Sequence, residues 1–242
     1  MLIDLVLAGE RALIVGEGQE LEFKALKLLD SEAEVTVLGR SFTSGLLRLA
    51  SSRKGQVRLI SAELTKDVVL RTVQETRPRV VFISTGRPEL DDELSRAVRG
   101  RDGTAALVCV VDEPRLNDFN MPAIAKKGDI RIGVSTGGRS PAMAGALRRR
   151  IEKVITRQDV LQVRLQGHIR KSSRVLLRDA GSRKEFAYKV MRDKKVGDLL
   201  KKERYGEARR LAEKMLREEA STVVPRSPQG ALRKTKGVAR DG

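Results

Sequence analysis

One cysteine, one histidine, no tryptophan, five phenylalanines and two tyrosines are all that 242 residues hold of these types. Each shortage narrows the possible chemistry. A lone Cys109 has no partner for an internal disulfide, which fits a reducing compartment and predicts a cytoplasmic protein. Set within AALVCVV, it reads as a small buried hydrophobe rather than a nucleophile. His168, in LQGHIR, has no second His or Cys at metal-ligand spacing, so no metal site is expected and it reads as a packing or surface residue. Scarce aromatics leave few platforms on which bases could stack, and no helix-turn-helix or zinc-finger spacing is present. No apolar run approaches the roughly 18–20 residues of a membrane span. The opening MLIDLVLAGERALIVG is broken by Asp4 and by Glu10-Arg11, which predicts neither a membrane helix nor a secretory leader.

What the chain does have is positive charge, unevenly placed. The formal net charge is +17, yet residues 1–147 hold 21 Lys/Arg against 20 Asp/Glu, while 148–242 hold 28 against 12. The basic character therefore belongs to the C-terminal part. It favours an acidic partner: nucleic acid, an anionic membrane or a polycarboxylate small molecule. A hydrophobic content of 40% is enough for a sizeable core.

Apolar periodicity alternates along the first 112 residues. Strands are expected at 11–15, 34–38, 56–60, 79–84 and 105–111, and helices at 19–29, 42–50, 65–75 and 89–98. Short connections between alternating strands and helices imply a parallel sheet covered on both faces. A loop, EPRLNDFNMPAI, then leads to a strand, DIRIGV. From about residue 157 the chain reads as basic helices, with an S-x-x-E capping box at Ser182 and Glu185 and an amphipathic helix at 206–220. The Gly- and Pro-containing end at 222–242 reads as a disordered basic tail.

Two turns carry the chemistry. Gly16 and Gly18 follow the first strand and open a helix, matching the first two glycines of the dinucleotide fingerprint G-x-G-x-x-G/A. Leu21 stands at the third position, which predicts a wider helix–strand spacing. The acid expected after the second strand, to hold the ribose hydroxyls, is replaced by Arg40, and an arginine there suits a 2′-phosphate. In such a sheet, ligands gather at the carboxyl ends of the strands, where the loops at 16–20, 84–88 and 111–114 meet. Asp112, closing the fifth strand, is the carboxylate best placed for proton transfer. The second turn is VSTGGRSPAMAG: Gly137 and Gly138 allow a tight turn, Ser140 suits an N-cap and Pro141 the first helical position. This is a helix N-terminus of the kind that attracts anions, but it lacks the GxxxxGK[ST] order of a P-loop.

GEGQELEFK at 16–24, VTVL at 35–38, CVVDEP at 109–114, FNMPAI at 119–124 and VSTGGRSPAMA at 134–144 together resemble the precorrin-2 dehydrogenase module of siroheme synthases, in order and spacing, over about residues 1–155. The later basic helices resemble the helical domain of archaeal-type members. The resemblance implies a Rossmann-like doubly wound α/β domain at 1–112, a dimerisation region at 113–155 and a basic helical domain at 156–221. It implies a homodimer that oxidises precorrin-2 to sirohydrochlorin with NAD, NADP being the other option that Arg40 leaves open. Some relatives also insert ferrous iron, taken as a substrate. The chain is too short for the methyltransferase domain fused in others.

Residue by residue, the resemblance assigns Asp112 as the catalytic acid–base group. Gly16, Gly18, Gln19, Glu20, Arg40, Ser41, Thr85 and Gly86 are assigned to the cofactor. Thr136, Gly137, Gly138, Arg139 and Ser140 are assigned to the anionic tetrapyrrole, with no metal ligand among them. Two departures stand out: Phe23-Lys24 replaces the family's R-K, and Ser84-Thr85-Gly86-Arg87 replaces its ATDD, removing both acids. The missing acids favour one alternative, a non-catalytic nucleotide-binding regulatory protein. The basic helices favour another, a nucleic-acid-binding protein, against which the scarce aromatics weigh.

Overall fold

The computed structural model describes residues 2–100, 106–111 and 113–223. They fall into two compact units, the first drawn from the described residues of 2–123 and 135–141, the second from 124–134 and 142–223.

In the first unit five parallel strands run in the order β3-β2-β1-β4-β5. They are β1 (Arg11–Gly16), β2 (Glu34–Gly39), β3 (Val57–Ser61), β4 (Val80–Ser84) and β5 (Leu107–Val110). The helices α1 (Gln19–Leu29), α2 (Ser44–Ser52), α3 (Lys66–Thr76) and α4 (Pro88–Arg99) connect them. Strand periodicity of two sorts the buried residues into two layers. Ala12, Ile14, Val35, Val37, Val80, Phe82 and Cys109 pack with Leu21, Ala25 and Leu28 of α1 and Leu46 of α2. Leu13, Val15, Leu38, Val81, Ile83, Val108 and Val110 pack with Val69 and Val73 of α3 and Leu94 and Val98 of α4. Both faces of the sheet are thus covered, which is why its strands read as continuous apolar runs. Each fully buried large side chain, such as Leu13 or Ile83, contributes about 1.5–3 kcal/mol. Leu21, at the third fingerprint position, lies in this core.

Side chains pin the segment after β5 to that strand. Asn117 Oδ1 accepts from Val110 N–H at 2.6 Å, and Asp118 Oδ2 accepts from Val108 N–H at 2.8 Å. Phe119 then packs edge-on against Phe82 with ring centroids 5.5 Å apart.

In the second unit, β6 (Ala123–Lys127) and β7 (Ile130–Val134) form a two-stranded sheet. The turn between them is Gly128-Asp129, with Gly128 at φ +58°. The sequence reading expects no strand here, its loop running to Ile124 and its next strand starting at Asp129; AIAKK is short and half polar, a weak strand signal. Then come α5 (Pro141–Val154), α6 (Arg157–Leu176), α7 (Ala180–Arg192), α8 (Lys194–Lys201) and α9 (Tyr205–Val223). Helical spacing builds their core. Leu161, Leu165 and Ile169 of α6 meet Phe186 and Val190 of α7, Val196 and Leu200 of α8, and Ala208, Ala212 and Leu216 of α9.

The capping box expected at Ser182 and Glu185 is corrected. α7 starts earlier, because Asp179 accepts from Ser182 N–H at 2.8 Å and is itself the N-cap. A true capping box opens α6, where Thr156 and Asp159 exchange bonds. α9 runs to Val223, past the start expected for the tail, and the rest of that tail lies outside the described residues. His168 Nε2 lies 2.7 Å from Glu213 Oε1, joining α6 to α9.

Candidate functional site

Glycine alone lets the carboxyl ends of β1, β2 and β4 come together. Gly16 has φ +147°, and a Cβ on it would lie 1.9 Å from Ser84 O. A Cβ on Gly39 would lie 2.5 Å from Gly16 O. β1 and β4 are also the pair at which the strand order reverses, the switch point where open α/β sheets bind ligands.

The helix ends around this point are not alike. Thr43 caps α2 by accepting from Leu46 N–H, and Thr65 caps α3 by accepting from Val68 N–H. α1 and α4, which follow β1 and β4, have no side-chain cap. At the α1 N-cap, Gly18 has φ +91° and the place of its missing Cβ is open space. Uncapped backbone donors facing an open glycine cradle suit a pyrophosphate, so these residues fit a dinucleotide. Gln19 and Glu20 begin α1 and are exposed, with Glu20 within 4.0 Å of Lys24 Nζ.

Charge collects at the same edge. Arg40 Nε and Nη2 both donate to the carboxylate of Glu17, the latter at 3.0 Å, and Glu63 lies 4.0 Å from Arg40 Nε. The Arg40 guanidinium holds Glu17 below the usual carboxylate range, with Arg87 adding to the effect. Ser61 Oγ donates to Arg40 O at 3.0 Å and fixes the loop behind the guanidinium. Ser41 is exposed beside it.

The loop after β4 is anchored from below. Asp91, 6% exposed, accepts from Thr85 N–H at 3.0 Å and from Thr85 Oγ1 at 2.6 Å. Thr85 Oγ1 in turn accepts from Arg87 N–H, which shapes the turn around Gly86 at φ +70°. Sequence reading missed both Asp91 and Glu17. Asp91 had a signal: it shares the buried face of α4 with Leu94, Ser95 and Val98, where a carboxylate needs a purpose.

Cys109 is buried, and burial pushes its thiol up while nearby Lys24 opposes the shift, so it is not a ready thiolate. Asp112 lies outside the described residues. Its neighbours are placed: Val111 N–H donates to Ile83 O at 2.9 Å, and Pro114 opens a single 3-10 turn.

The second turn is held by bonds among its own residues. Thr136 Oγ1 accepts from Ser140 N–H and donates to Ser140 O, each at 3.1 Å, and Arg139 N–H donates to Thr136 O. Gly137 and Gly138 have φ of +63° and +78° and face open space. The Gly137 amide, expected to meet substrate, is already held by Ser135 Oγ at 3.2 Å, whereas Arg139 is exposed. Among the described residues no cluster of His, Cys, Asp or Glu could hold a metal, and no helix is long and apolar enough to cross a membrane.

Residues 3–123 match the family described as "Putative NAD(P)-binding", and 127–153 match "Sirohaem biosynthesis protein central". The precorrin-2 dehydrogenase of Methanosarcina barkeri is 32% identical over 79% of this chain and 83% of its own. Siroheme synthase 3 of Aeromonas hydrophila is 24% identical over 87% of this chain and 42% of its own, so this chain spans under half of that longer protein. A solved structure named SirC, precorrin-2 dehydrogenase, has the same fold, with a TM-score of 0.68, 17% identity, and coverage of 88% of this chain and 99% of that one. A glycine-cradled switch point, the two family matches and a relative this similar over most of both chains agree: the chain belongs to the precorrin-2 dehydrogenase family.

Proposed function

We infer that this chain oxidises precorrin-2 to sirohydrochlorin with NAD, a step of siroheme biosynthesis. The observation that carries the reading is the uncapped α1 N-terminus beside Gly16 and Gly18 at the switch point, in a chain 32% identical to a precorrin-2 dehydrogenase. A bound nicotinamide supplies the two-electron acceptor, which takes a hydride. The chain's own residues bind, orient and move the proton. Gly18 and the first turn of α1 hold the pyrophosphate. Arg40 and Ser41 meet the adenosine ribose, and the Thr85–Gly86 turn, anchored by Asp91, lies along the nicotinamide side. Asp112 accepts the proton that leaves the macrocycle. Thr136, Gly138, Arg139 and Ser140 receive substrate carboxylates, which an exposed guanidinium at a helix start favours. The protein acts in the cytoplasm as a homodimer.

Anaerobic turnover of precorrin-2 with NAD, followed by the sirohydrochlorin spectrum, tests this. Wild type turns over, and Asp112→Asn loses at least about a hundredfold in rate, the scale of general acid–base catalysis. No turnover in a folded protein that binds NAD overturns the enzyme reading in favour of a regulatory nucleotide-binding protein, which Gly86 and Arg87 in place of acids support. Ferrous iron added to the same cuvette tests insertion into the product, and light scattering on the full chain tests the dimer.

A further inference from the structure

We propose that Arg40, oriented by Glu17 and joined by Ser41, receives a phosphate on the 2′-oxygen of the adenosine ribose, so that this chain binds NADP at least as tightly as NAD. The proposal rests on the dinucleotide reading of the first unit and concerns which dinucleotide is taken. A ribose diol is gripped by a carboxylate at the end of the second strand. Here β2 ends in Gly39, and Arg40, Ser41, Phe42 and Thr43 follow without an acid. The carboxylates that do reach this edge, Glu17 and Glu63, come from other loops and are both directed at Arg40.

A guanidinium has five N–H donors in a rigid fork. Glu17 takes the Nε proton and one on Nη2, and Glu63 approaches the same Nε side. That leaves the Nη1 protons and the second Nη2 proton, the outer edge of the fork, which suits two oxygens of one phosphate. The Arg40 side chain is 48% exposed, so this edge is reachable, while Ser61 holds the Arg40 backbone from behind. Ser41, the next residue, is exposed and carries a further hydroxyl donor. Arg87 adds a second positive charge near Glu17, offsetting part of the negative charge that would repel a phosphate.

Isothermal titration of the full chain with NAD, NADP, 5′-AMP and 2′,5′-ADP reads this without turnover. NADPH fluorescence gives a second signal, unmixed with tryptophan emission because the chain has no Trp. The expected result is an NADP Kd no larger than the NAD Kd, and 2′,5′-ADP tighter than 5′-AMP. In Arg40→Leu, with folding checked by circular dichroism, the NADP Kd rises at least tenfold more than the NAD Kd does. NAD bound with NADP more than threefold weaker overturns the phosphate assignment alone. Equal losses for both nucleotides in Arg40→Leu overturn it too, since Arg40 would then shape the turn and not touch phosphate. Binding of none of the four overturns the dinucleotide site and this proposal with it.

Discussion

At the scale of single residues the site is built from what is missing. Gly16 has no side chain because Ser84 O occupies the space a Cβ would need. Gly16→Ala must therefore push β1 and β4 apart, and we expect a loss of about 1–3 kcal/mol in urea unfolding, the range for overpacking, with weaker NAD binding. A carboxylate does the opposite job. Asp91 pairs with two donors of Thr85 inside the protein. In Asp91→Ala both donors lose their acceptor at a cost of about 1–3 kcal/mol. Asp91→Asn keeps an acceptor oxygen and should recover most of the stability and the NAD affinity. Equal losses in the two variants would show that the negative charge is what matters.

Individual helices of the second unit depend on their ends. Thr156 and Asp159 cap the start of α6, and Thr156→Ala should cost about 1 kcal/mol in stability, as lost N-caps do. Three carboxylates here sit below their ordinary pKa: Asp159 through Thr156, Asp179 through Ser182, and Glu213 through Arg209 and then His168. A carboxyl with a lowered folded pKa stabilises fully above its unfolded value, 3.8 for Asp and 4.5 for Glu, and loses that contribution as pH falls through the folded value. Thermal melts followed by circular dichroism should thus give a falling Tm from about pH 4.5 downward. Glu213→Gln should reduce the drop. A Tm that stays level to pH 3 would contradict these pairings.

For the molecule as a whole, the placement of charge predicts how the rate depends on salt. Nearly all the net +17 comes from residues 148–242, and the proposed substrate is a polycarboxylate. A positive field raises the local concentration of such a substrate and is screened over a Debye length of about 10 Å at 0.1 M salt. Raising salt from 50 to 500 mM should increase the KM for precorrin-2 severalfold and leave kcat nearly constant. A KM indifferent to salt would assign the basic helices another partner. Strong binding of RNA at moderate salt would name it.

How far the sequence alone reached follows from the range of the forces. Strand and helix periods are local, so the five strands and four helices of the first unit lie within two or three residues of where apolar spacing puts them. The glycine turns and family motifs are also contiguous, and they carried the fold and the family. What the tertiary structure decided are pairings between distant residues. Arg40 meets Glu17 across 23 positions, and Asn117 and Asp118 fold back on β5. The start of α7 is a local matter that the sequence left open: Asp179 and Ser182 both suit an N-cap, and Asp179 takes that place by accepting from Ser182 N–H. A side chain chooses among distant partners only after the backbone has brought them together. Composition and spacing therefore determined which chemistry this chain carries, and the packing of β1 between β2 and β4 decided which charges face one another at its edge.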